Sequence, residues 1–266
     1  MSSKNQHNKV KHLKTWQSND GVNKVIMNAP PVSAEKSAEI LNDSENYTAI
    51  VFTSDNRIIQ ADFIKEKGNP CLLFEPDPIF TFYNVAHLSI KRLPELRQRL
   101  FEFNVQTDNV DLQVGKTNSY MTNVSIGIIF MFNSIETLLN TLIEESTLTT
   151  FKITTDKGQL KDRDKDWVLR YGKFYSKLND TLPQIFGSNN FHILYPEEFK
   201  KIEKVKLVRD NIMHFKLKAE DKLKGKRTYL KDALAFDYEG AIHTVKDFIN
   251  FYKPETIEDC NCGKEL

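Results

Sequence analysis

The chain has 266 residues and a formal net charge of +1 at pH 7. It is long enough to bury a core, and its charge excludes a protein that is basic over its whole surface, as a nucleic-acid coat would be. Its three cysteines, Cys71, Cys260 and Cys262, do not form the spacing of a disulfide framework, so we expect a reducing compartment.

The N-terminal region and the apolar segments give no indication of a membrane protein. The first 25 residues are polar and contain no apolar run of signal-peptide length. The most apolar stretch, Ile126 to Phe132, has seven residues, whereas a membrane-spanning helix needs about 20. We therefore expect a cytoplasmic protein without a membrane segment, in which residues 1–45 form a flexible polar tail.

Residues 46–117 have the short apolar segments of a small mixed α/β region. Two apolar runs between Tyr47 and Ile64 flank Ser-Asp-Asn, which predicts a β-hairpin. A helix is expected from Pro94 to Phe103, with the short segments PCLLFEP before it and NVDLQV after it. Nothing in these segments indicates a function.

From about residue 118 apolar residues recur every three or four positions, which predicts a mainly α domain over residues 118–253 and a tail over residues 254–266. Four helices with such stripes can form an up-and-down four-helix bundle. The third should begin at Pro196, since proline and the acidic residues after it suit a first turn. The stripes are Val124, Ile128, Phe132, Ile135, Leu139 and Leu142; Trp167, Tyr171, Phe174 and Leu178; Phe199, Ile202, Val205, Val208, Ile212 and Phe215; Ala241, Val245, Phe248 and Tyr252.

Basic residues are concentrated in residues 200–231. This segment contains ten Lys and two Arg against four acidic residues, a local charge of +8, while the rest of the chain carries −7. Such an excess can attract a polyanion even when the whole protein is nearly neutral. The alternative is a solvated lysine-rich loop, because runs of charge usually only keep a surface hydrated.

Several enzyme classes lack their motifs in this sequence. It has no internal repeat, no phosphate-binding glycine loop and no Gly-x-Ser-x-Gly nucleophile motif. Cys260 and Cys262 provide at most half of a zinc site, because no second cysteine pair or nearby histidine completes four ligands. We therefore expect neither a metal site nor a cofactor.

The third helix carries Arg209, Asp210 and His214. At about 100° per residue Arg209 and His214 lie about 140° apart, on either side of a face that includes Met213. We expect this face to lie opposite the core stripe and to be able to contact a partner. Its other members are Glu203, Lys206 and Leu217.

These residue types suit phosphodiester chemistry. An arginine has planar donors that match phosphate oxygens, and a histidine can transfer a proton near neutral pH. Asp210 precedes His214 by four residues, so it could orient the imidazole on a helix. In the alternative interpretation Arg209 and Asp210 are solvated and His214 is packed or caps the helix.

The segment VRDNIMHF, residues 208–215, resembles the signature of the HEPN superfamily, in which an Arg and a polar residue precede a characteristic His by a short spacer. The upstream segment FNSIETLLNTLIEE is similar to the first long helix of many members, where polar residues interrupt the apolar face. The resemblance covers about residues 118–252. The polar positions in that helix are Asn133, Glu136, Asn140 and Glu144, which could also be ordinary solvated surface.

The resemblance implies a four-helix bundle that dimerises and brings two Arg/His pairs into one cleft, where RNA is cleaved without a metal. Arg209 and His214 would be the catalytic pair and Asp210 their polar partner. HEPN toxins controlled by a nucleotidyltransferase often carry Tyr two residues after the His, and Lys216 stands there instead, so that form of regulation is not expected. The supporting polar residues would be Asn211, Glu136 and Asn140.

Three functions are compatible with these observations. The first is a metal-independent endoribonuclease of toxin or antiviral-defence type that leaves a 2′,3′-cyclic phosphate. The second is a non-catalytic dimerisation module that binds RNA or a protein, and the third is a nucleotide-sensing regulator. The expected partners are RNA, a second copy of the chain and a regulatory protein or antitoxin. The lysines expected to bind RNA are Lys206, Lys216 and Lys218.

Overall fold

A computed structural model describes residues 7–9, 46–52, 58–67, 69–74, 76–102, 109–213 and 230–260. These residues are mainly helical, as the sequence predicts. The chain divides into two compact units, Lys9–Asp77 and Met1–Asn8 with Pro78–Leu266. Short strands at His7–Lys9 and Glu258–Cys260 pair with each other.

The described part of the Lys9–Asp77 unit is a three-stranded antiparallel sheet. Its strands follow the chain order β1 (Asn46–Phe52), β2 (Ile58–Glu66) and β3 (Asn69–Phe74). β1 pairs with β2 from Asn46 opposite Ile64 to Phe52 opposite Ile58, which confirms the predicted hairpin. The PCLLFEP segment contributes β3.

Four long helices of the other unit share one core. They are α1 (Pro78–Lys91), α3 (Val110–Glu145), α8 (Pro196–Met213) and α9 (Tyr238–Tyr252), and α3 contacts each of the other three. The short helix α2 (Leu93–Phe101), close to the predicted Pro94–Phe103, also packs on α3. The large side chains buried in this core include Tyr83, Tyr120, Ile128, Met131, Phe132, Ile135, Leu138, Leu139 and Phe248.

The helix α3 begins at Val110, eight residues earlier than the periodicity predicts. Asn109 caps it, because its side chain accepts a hydrogen bond from the backbone N–H of Asp111 at 2.7 Å. α1 lies close along α3 at Gly127, where an added Cβ would be 3.0 Å from Ile90. The unit boundary therefore lies at Asp77 rather than at the predicted residue 117, because α1 buries its apolar face in the same core as α3 from Tyr120 onward.

The third and fourth predicted helices are confirmed. α8 begins at Pro196 with two glutamates in its first turn, and α9 begins at a cap in which Asp237 accepts from the N–H of Gly240. Val208 and Ile212 of the third stripe are only half-buried. The buried members of the two stripes are Phe199, Ile202, Val205, Ala241, Val245, Phe248 and Tyr252.

The predicted second helix, from Trp167 to Leu178, is interrupted. α4 (Lys165–Tyr171) ends at Gly172, where an added Cβ would overlap the carbonyl oxygen of Val168. The chain continues as α5 (Phe174–Ser176), a π-helical turn over Lys177–Thr181, α6 (Leu182–Phe186) and α7 (Phe191–Leu194). α1 therefore provides the long helix beside α3 that the sequence analysis assigned to this segment.

A β-hairpin joins α3 to α4. Its strands are β4 (Thr150–Thr154) and β5 (Leu160–Asp164), paired antiparallel. Phe151 and Ile153 point inward and form a small second core with Ile143 and Val168. This core attaches the hairpin and α4 to the C-terminal end of α3.

The outer edge of β4 is bound by side chains rather than by another strand. The Gln184 amide accepts from the backbone N–H of Lys152 and donates to its carbonyl, both at 2.9 Å. The Asp180 carboxylate accepts from both the backbone N–H and the hydroxyl of Thr154. The π-helical turn and α6 thus fix the position of the hairpin.

By length and composition α3 could cross a membrane. Its most apolar 18-residue window has a mean hydropathy of 1.6, and 56% of that window is buried inside the structure. The core helix of a protein that does not cross a membrane has the same length and composition. The expectation of no membrane segment stays a prediction.

Candidate functional site

The candidate site lies where α8 crosses α3, and Arg209 is at its centre. On α8 the side of Arg209 also carries Ile202 and Val205, both fully buried, while Lys204 and Leu207 on the other side are exposed. Arg209, which was expected to lie off the core stripe, is therefore on the core side of α8, whereas Met213 of the predicted face is exposed. The apolar residues Val208 and Ile212 placed the centre of the predicted core stripe too far from Arg209. In the structure both are only half-buried.

The Arg209 side chain is held against the core and is 25% exposed. Its guanidinium carbon lies 4.8 Å from the ring centroid of Phe132 on α3, a cation–π contact. Nη1 donates to Oδ1 of Asp210 at 3.0 Å. Nε is buried and has no hydrogen-bond partner among the described residues.

Asp210 is bound by two cations. Besides the bond from Arg209, its Oδ2 accepts from Nζ of Lys206 at 2.5 Å. Burial alone would raise the pKa of Asp210, but the hydrogen bonds and charges of Lys206 and Arg209 outweigh it and hold the pKa below its ordinary value. A carboxylate has about four acceptor positions, so Asp210 could still accept a bond from a histidine.

Tyr175 covers this cluster from the segment after α4. Nζ of Lys206 lies 5.4 Å from the centroid of the Tyr175 ring. Burial, the charge of Glu203, its hydrogen bond with the phenol and the charge of Asp210 all raise the pKa of Tyr175. The phenol is thus the neutral member of a charged group.

Lys177 connects the π-helical turn to the polar side of α3. It is buried, and its Nζ donates to Oδ1 of Asn140 at 2.7 Å and to the carbonyl oxygen of Leu169 at 3.2 Å. Burial lowers the pKa of Lys177, and the charge of Glu136 opposes that shift. The two supporting polar residues predicted on α3, Glu136 and Asn140, therefore interact with Lys177. They lie one and two turns after Phe132, which contacts Arg209.

Replacing Lys177 with Met is expected to remove an alkaline rise in stability. The pKa of Lys177 is lowered in the folded state, so Lys177 binds its proton more tightly in the unfolded chain. Between the folded-state pKa and the ordinary value of 10.5, the unfolded chain therefore holds more protons than the folded chain. The free energy of unfolding of the wild type should therefore increase with pH in this window, and that of Lys177→Met should lack this component.

Denaturant unfolding of both proteins at about pH 7 and about pH 10 measures this difference. At about pH 7 the Met variant should be as stable as the wild type or more so, since an apolar side chain of similar size often replaces a buried ion without loss. The same pH dependence in both proteins would contradict the assignment to Lys177.

Asn211, the other supporting polar residue, lies away from the Arg209 cluster. It is exposed and lines a separate cleft of about 470 Å³ between α8 and the segment that leads into α9. Leu207, Val208 and Phe236 line the same cleft. The structure therefore does not bring Asn211 together with Arg209 and Asp210.

The histidine predicted to be catalytic and two of the predicted RNA-binding lysines lie outside the described residues. His214 directly follows Met213, the last described residue of α8, and Lys216 and Lys218 follow it. Of the three lysines predicted to bind RNA, the described part of the chain thus contains Lys206 alone, which is half-buried and bound to Asp210. The predicted roles of the other two stay predictions.

Three members of the site were not identified from the sequence. Phe132 was assigned only to the core stripe, and Tyr175 and Lys177 fell between the apolar positions expected for one continuous helix. The helix ends at Gly172, before both positions, and the π-helical turn begins at Lys177, so neither residue lies on the face that one continuous helix would give it.

The arrangement suits the binding of an anion. Arg209 and Lys206 are held in place by Phe132, Tyr175 and Asp210, and a fixed guanidinium can bind phosphate oxygens with little loss of side-chain entropy. Within the described part of the chain no group of three or more His, Cys, Asp or Glu side chains could hold a metal ion. Arg209 and Lys206 can supply electrostatic stabilisation, and His214 would add proton transfer if it lies beside this cluster.

Comparisons with known proteins add no family to this description. The chain gives no relative from which a role for Arg209 or Asp210 could be transferred. No protein-family model, no curated protein and no solved structure matches it, so its function is inferred from the residues described above.

Proposed function

We propose that this chain is a metal-independent endoribonuclease of HEPN type. Its helices would form the HEPN four-helix bundle, and two copies would join their Arg209 and His214 residues in one cleft. The proposed setting is the cytoplasm, in a toxin or antiviral-defence system with a regulatory protein or antitoxin as a further partner. The resemblance of residues 208–215 to the HEPN signature supplies this hypothesis.

One observation carries the proposal: the guanidinium of Arg209 is fixed between Phe132 and Asp210, and its side chain remains 25% exposed. A transition state that develops negative charge is stabilised most by donors that need no reorganisation. Arg209 meets that condition. Lys206 adds a second cation one turn away on the same helix.

The proposed reaction uses the nucleophile that RNA itself contains. The ribose 2′-oxygen attacks the adjacent phosphorus and gives up its proton, while the bond from phosphorus to the 5′-oxygen breaks and that oxygen takes up a proton. His214 assists one of these proton transfers, and Arg209 offsets the charge on the phosphate oxygens. The products are a 2′,3′-cyclic phosphate and a 5′-hydroxyl end.

This mechanism predicts cleavage that survives an excess of chelator and is restricted to RNA. DNA lacks the 2′-hydroxyl, so a DNA oligonucleotide of matched sequence should stay intact. Mass spectrometry of the product ends tests the reaction directly, with a substrate carrying 2′-O-methyl groups as the uncleavable control. Products with 5′-phosphate ends, or activity that needs magnesium, would contradict the mechanism.

The proposed cleft requires a two-fold dimer through the C-terminal end of α8. The predicted face comprises Asp210, Met213 and Leu217, of which Leu217 lies outside the described residues, Asp210 is half-buried and Met213 is exposed. We expect light scattering to give twice the mass of one chain at tens of micromolar. Met213→Glu should shift the protein toward the monomer.

Leu207 provides a matched control for this prediction. It is an exposed apolar residue of the same helix on the side away from Arg209. Leu207→Glu should leave the measured mass unchanged. A wild-type protein that is monomeric at these concentrations, or a Leu207→Glu variant that dissociates as completely as Met213→Glu, would contradict the proposed interface.

One observation favours the second function, a non-catalytic dimerisation module that binds RNA or a protein. Arg209 points inward, and both Asp210 oxygens accept from cations of the same helix, as they would if the cluster only braced α8 against α3. The two functions differ in whether His214 and Arg209 are needed for a reaction. The cleavage rates of the His214→Ala and Arg209→Lys variants separate them.

A further inference from the structure

Three aromatic side chains follow one another at four-residue intervals near the β-hairpin. Trp167 and Tyr171 lie on α4 with ring centroids 6.0 Å apart, and Tyr175 follows on α5. Tyr171 is 65% exposed and Tyr175 is also exposed. We call these three residues the aromatic strip. Single exposed aromatics are common, whereas Tyr171 and Tyr175, on either side of the break at Gly172, provide two exposed rings within one short segment.

Basic residues surround the aromatic strip. Residues 150–175 contain seven Lys and Arg against four Asp, a local charge of +3. The Arg163 guanidinium lies 4.5 Å from the ring centroid of Trp167. Arg170 and Lys173 form exposed ion pairs with Asp166 and Asp156. Such exposed pairs contribute little to stability, so both cations can exchange their carboxylate for a phosphate.

Hydrogen bonds hold α4, which carries Trp167 and Tyr171 of the aromatic strip, at both of its ends. Nζ of Lys165 donates to the carbonyl oxygens of Glu144 and Ser146 at the end of α3, and Lys177 donates to Leu169 at the end of α4. Together with the side chains bound to the edge of β4, these bonds hold α4 in place before any ligand arrives. Binding there therefore costs little ordering entropy.

The aromatic strip leads toward Arg209. Tyr175 contacts Lys206, which is joined through Asp210 to Arg209. At the far end Trp167 packs on the small core around Ile143, eleven residues after Phe132 on α3. At 1.5 Å per residue, Phe132 and Ile143 are about 16 Å apart along α3. The distance from Arg209 to Trp167 is therefore long enough for a strand of a few nucleotides.

We propose that the aromatic strip binds single-stranded RNA, with bases stacked on Tyr171 and Tyr175 and phosphates near Arg170 and Lys173, and directs the strand to Arg209. This inference rests on the proposed function, since it names the path of that substrate. Ring faces combined with flexible cations are the recognition elements of proteins that bind single strands without reading their sequence. Paired bases cannot stack on protein side chains, so duplex RNA should bind more weakly.

The test measures binding without cleavage. The probe is a fluorescein-labelled RNA of about 12 nucleotides that is 2′-O-methylated at every position, and the readout is anisotropy with the full-length protein. Base stacking on an aromatic side chain contributes about 1–3 kcal/mol, so Tyr171→Ala and Tyr175→Ala should each weaken binding roughly 5- to 150-fold. Tyr171→Trp should retain the affinity, since it keeps a ring at that position.

A second readout locates the RNA on the protein. The sequence contains two tryptophans, so Trp16→Phe leaves Trp167, beside Tyr171, as the sole tryptophan. Binding of the unlabelled RNA should quench its fluorescence. A Trp16→Phe protein that binds RNA by anisotropy without any change in Trp167 emission would overturn the inference.

Phe101 provides the matched control. It is 65% exposed, as Tyr171 is, and Arg97 lies over its ring at 5.5 Å, but it belongs to α2. Phe101→Ala should bind RNA as the wild type does. A wild type that binds no single-stranded RNA, equal affinity for a duplex, or equal losses in Phe101→Ala and Tyr171→Ala would each overturn the inference.

The outcome for the proposed function is separate. If Tyr171→Ala and Tyr175→Ala lose binding but the wild type never cleaves unmodified RNA, the nuclease proposal is wrong and the strip is an RNA-binding surface. If the wild type cleaves RNA while both tyrosine variants bind and cleave normally, the strip inference is wrong and the nuclease proposal stands.

Discussion

The His214→Ala variant is expected to cleave RNA roughly 100 to 10,000 times more slowly than the wild type, the range over which one general acid or base contributes. The measurement is the single-turnover rate with a labelled RNA in the presence of chelator. Thermal melting of the variant should match the wild type, since the prediction assigns His214 to proton transfer rather than to the core.

Arg209 needs a different design, because it packs on Phe132 and Arg209→Ala would also remove a stabilising contact. Arg209→Lys keeps the charge but loses the planar pair of donors, so it should fold normally and still lose most activity. If both His214→Ala and Arg209→Lys retain wild-type rates, the nuclease proposal is wrong. The non-catalytic module then becomes the better interpretation.

Replacing Phe132 with Ala is expected to lower the free energy of unfolding by about 3–5 kcal/mol, as large-to-small changes of buried aromatics do. Phe132 is fully buried, its ring centroid lies 5.2 Å from that of Phe174, and the guanidinium of Arg209 lies over its ring. Urea denaturation measures the loss. Phe132→Leu should cost less stability but still release Arg209, and should therefore reduce activity more than stability.

Phe82 on α1 serves as the control for this prediction. It is only half-buried and contacts Phe130 at 5.6 Å, on α3 but away from Arg209. Phe82→Ala should cost less stability and leave the cleavage rate unchanged. A loss below about 1 kcal/mol in Phe132→Ala would show that the aromatic contacts between α3 and Phe174 are not part of the main core.

Helical periodicity predicted the long helices whose buried faces are regular. α8 and α9 lie where their stripes indicated, and α8 begins at the expected proline. The same signal was present in α1, because Ile79, Tyr83, Ala86 and Ile90 recur at steps of four, three and four and are all buried.

The interruption between α4 and α5 could not be predicted by periodicity. The apolar positions from Trp167 to Leu178 keep helical spacing, yet the helix ends at Gly172, where a close approach to the Val168 carbonyl leaves no room for a side chain. The hairpin before α4 has its own small core on Ile143, which is visible only in three dimensions.

The sequence predicted several residues of the candidate site but not their arrangement in space. Arg209 and Asp210 do lie together, and Glu136 and Asn140 do lie on one polar side of α3. The inward direction of Arg209 was not predicted, because a charged residue is expected at the surface. Its aromatic neighbour Phe132, on another helix, compensates for that burial.

The side chains on the edge of β4 have a consequence for contacts between molecules in solution. An open strand edge is a template on which strands of other chains can add, a common start of aggregation. Gln184 satisfies the backbone donor and acceptor of Lys152, and Asp180 accepts from the N–H of Thr154. These side chains occupy the backbone groups that a strand of another molecule would bind. The hairpin can therefore lie at the surface without adding strands from other molecules.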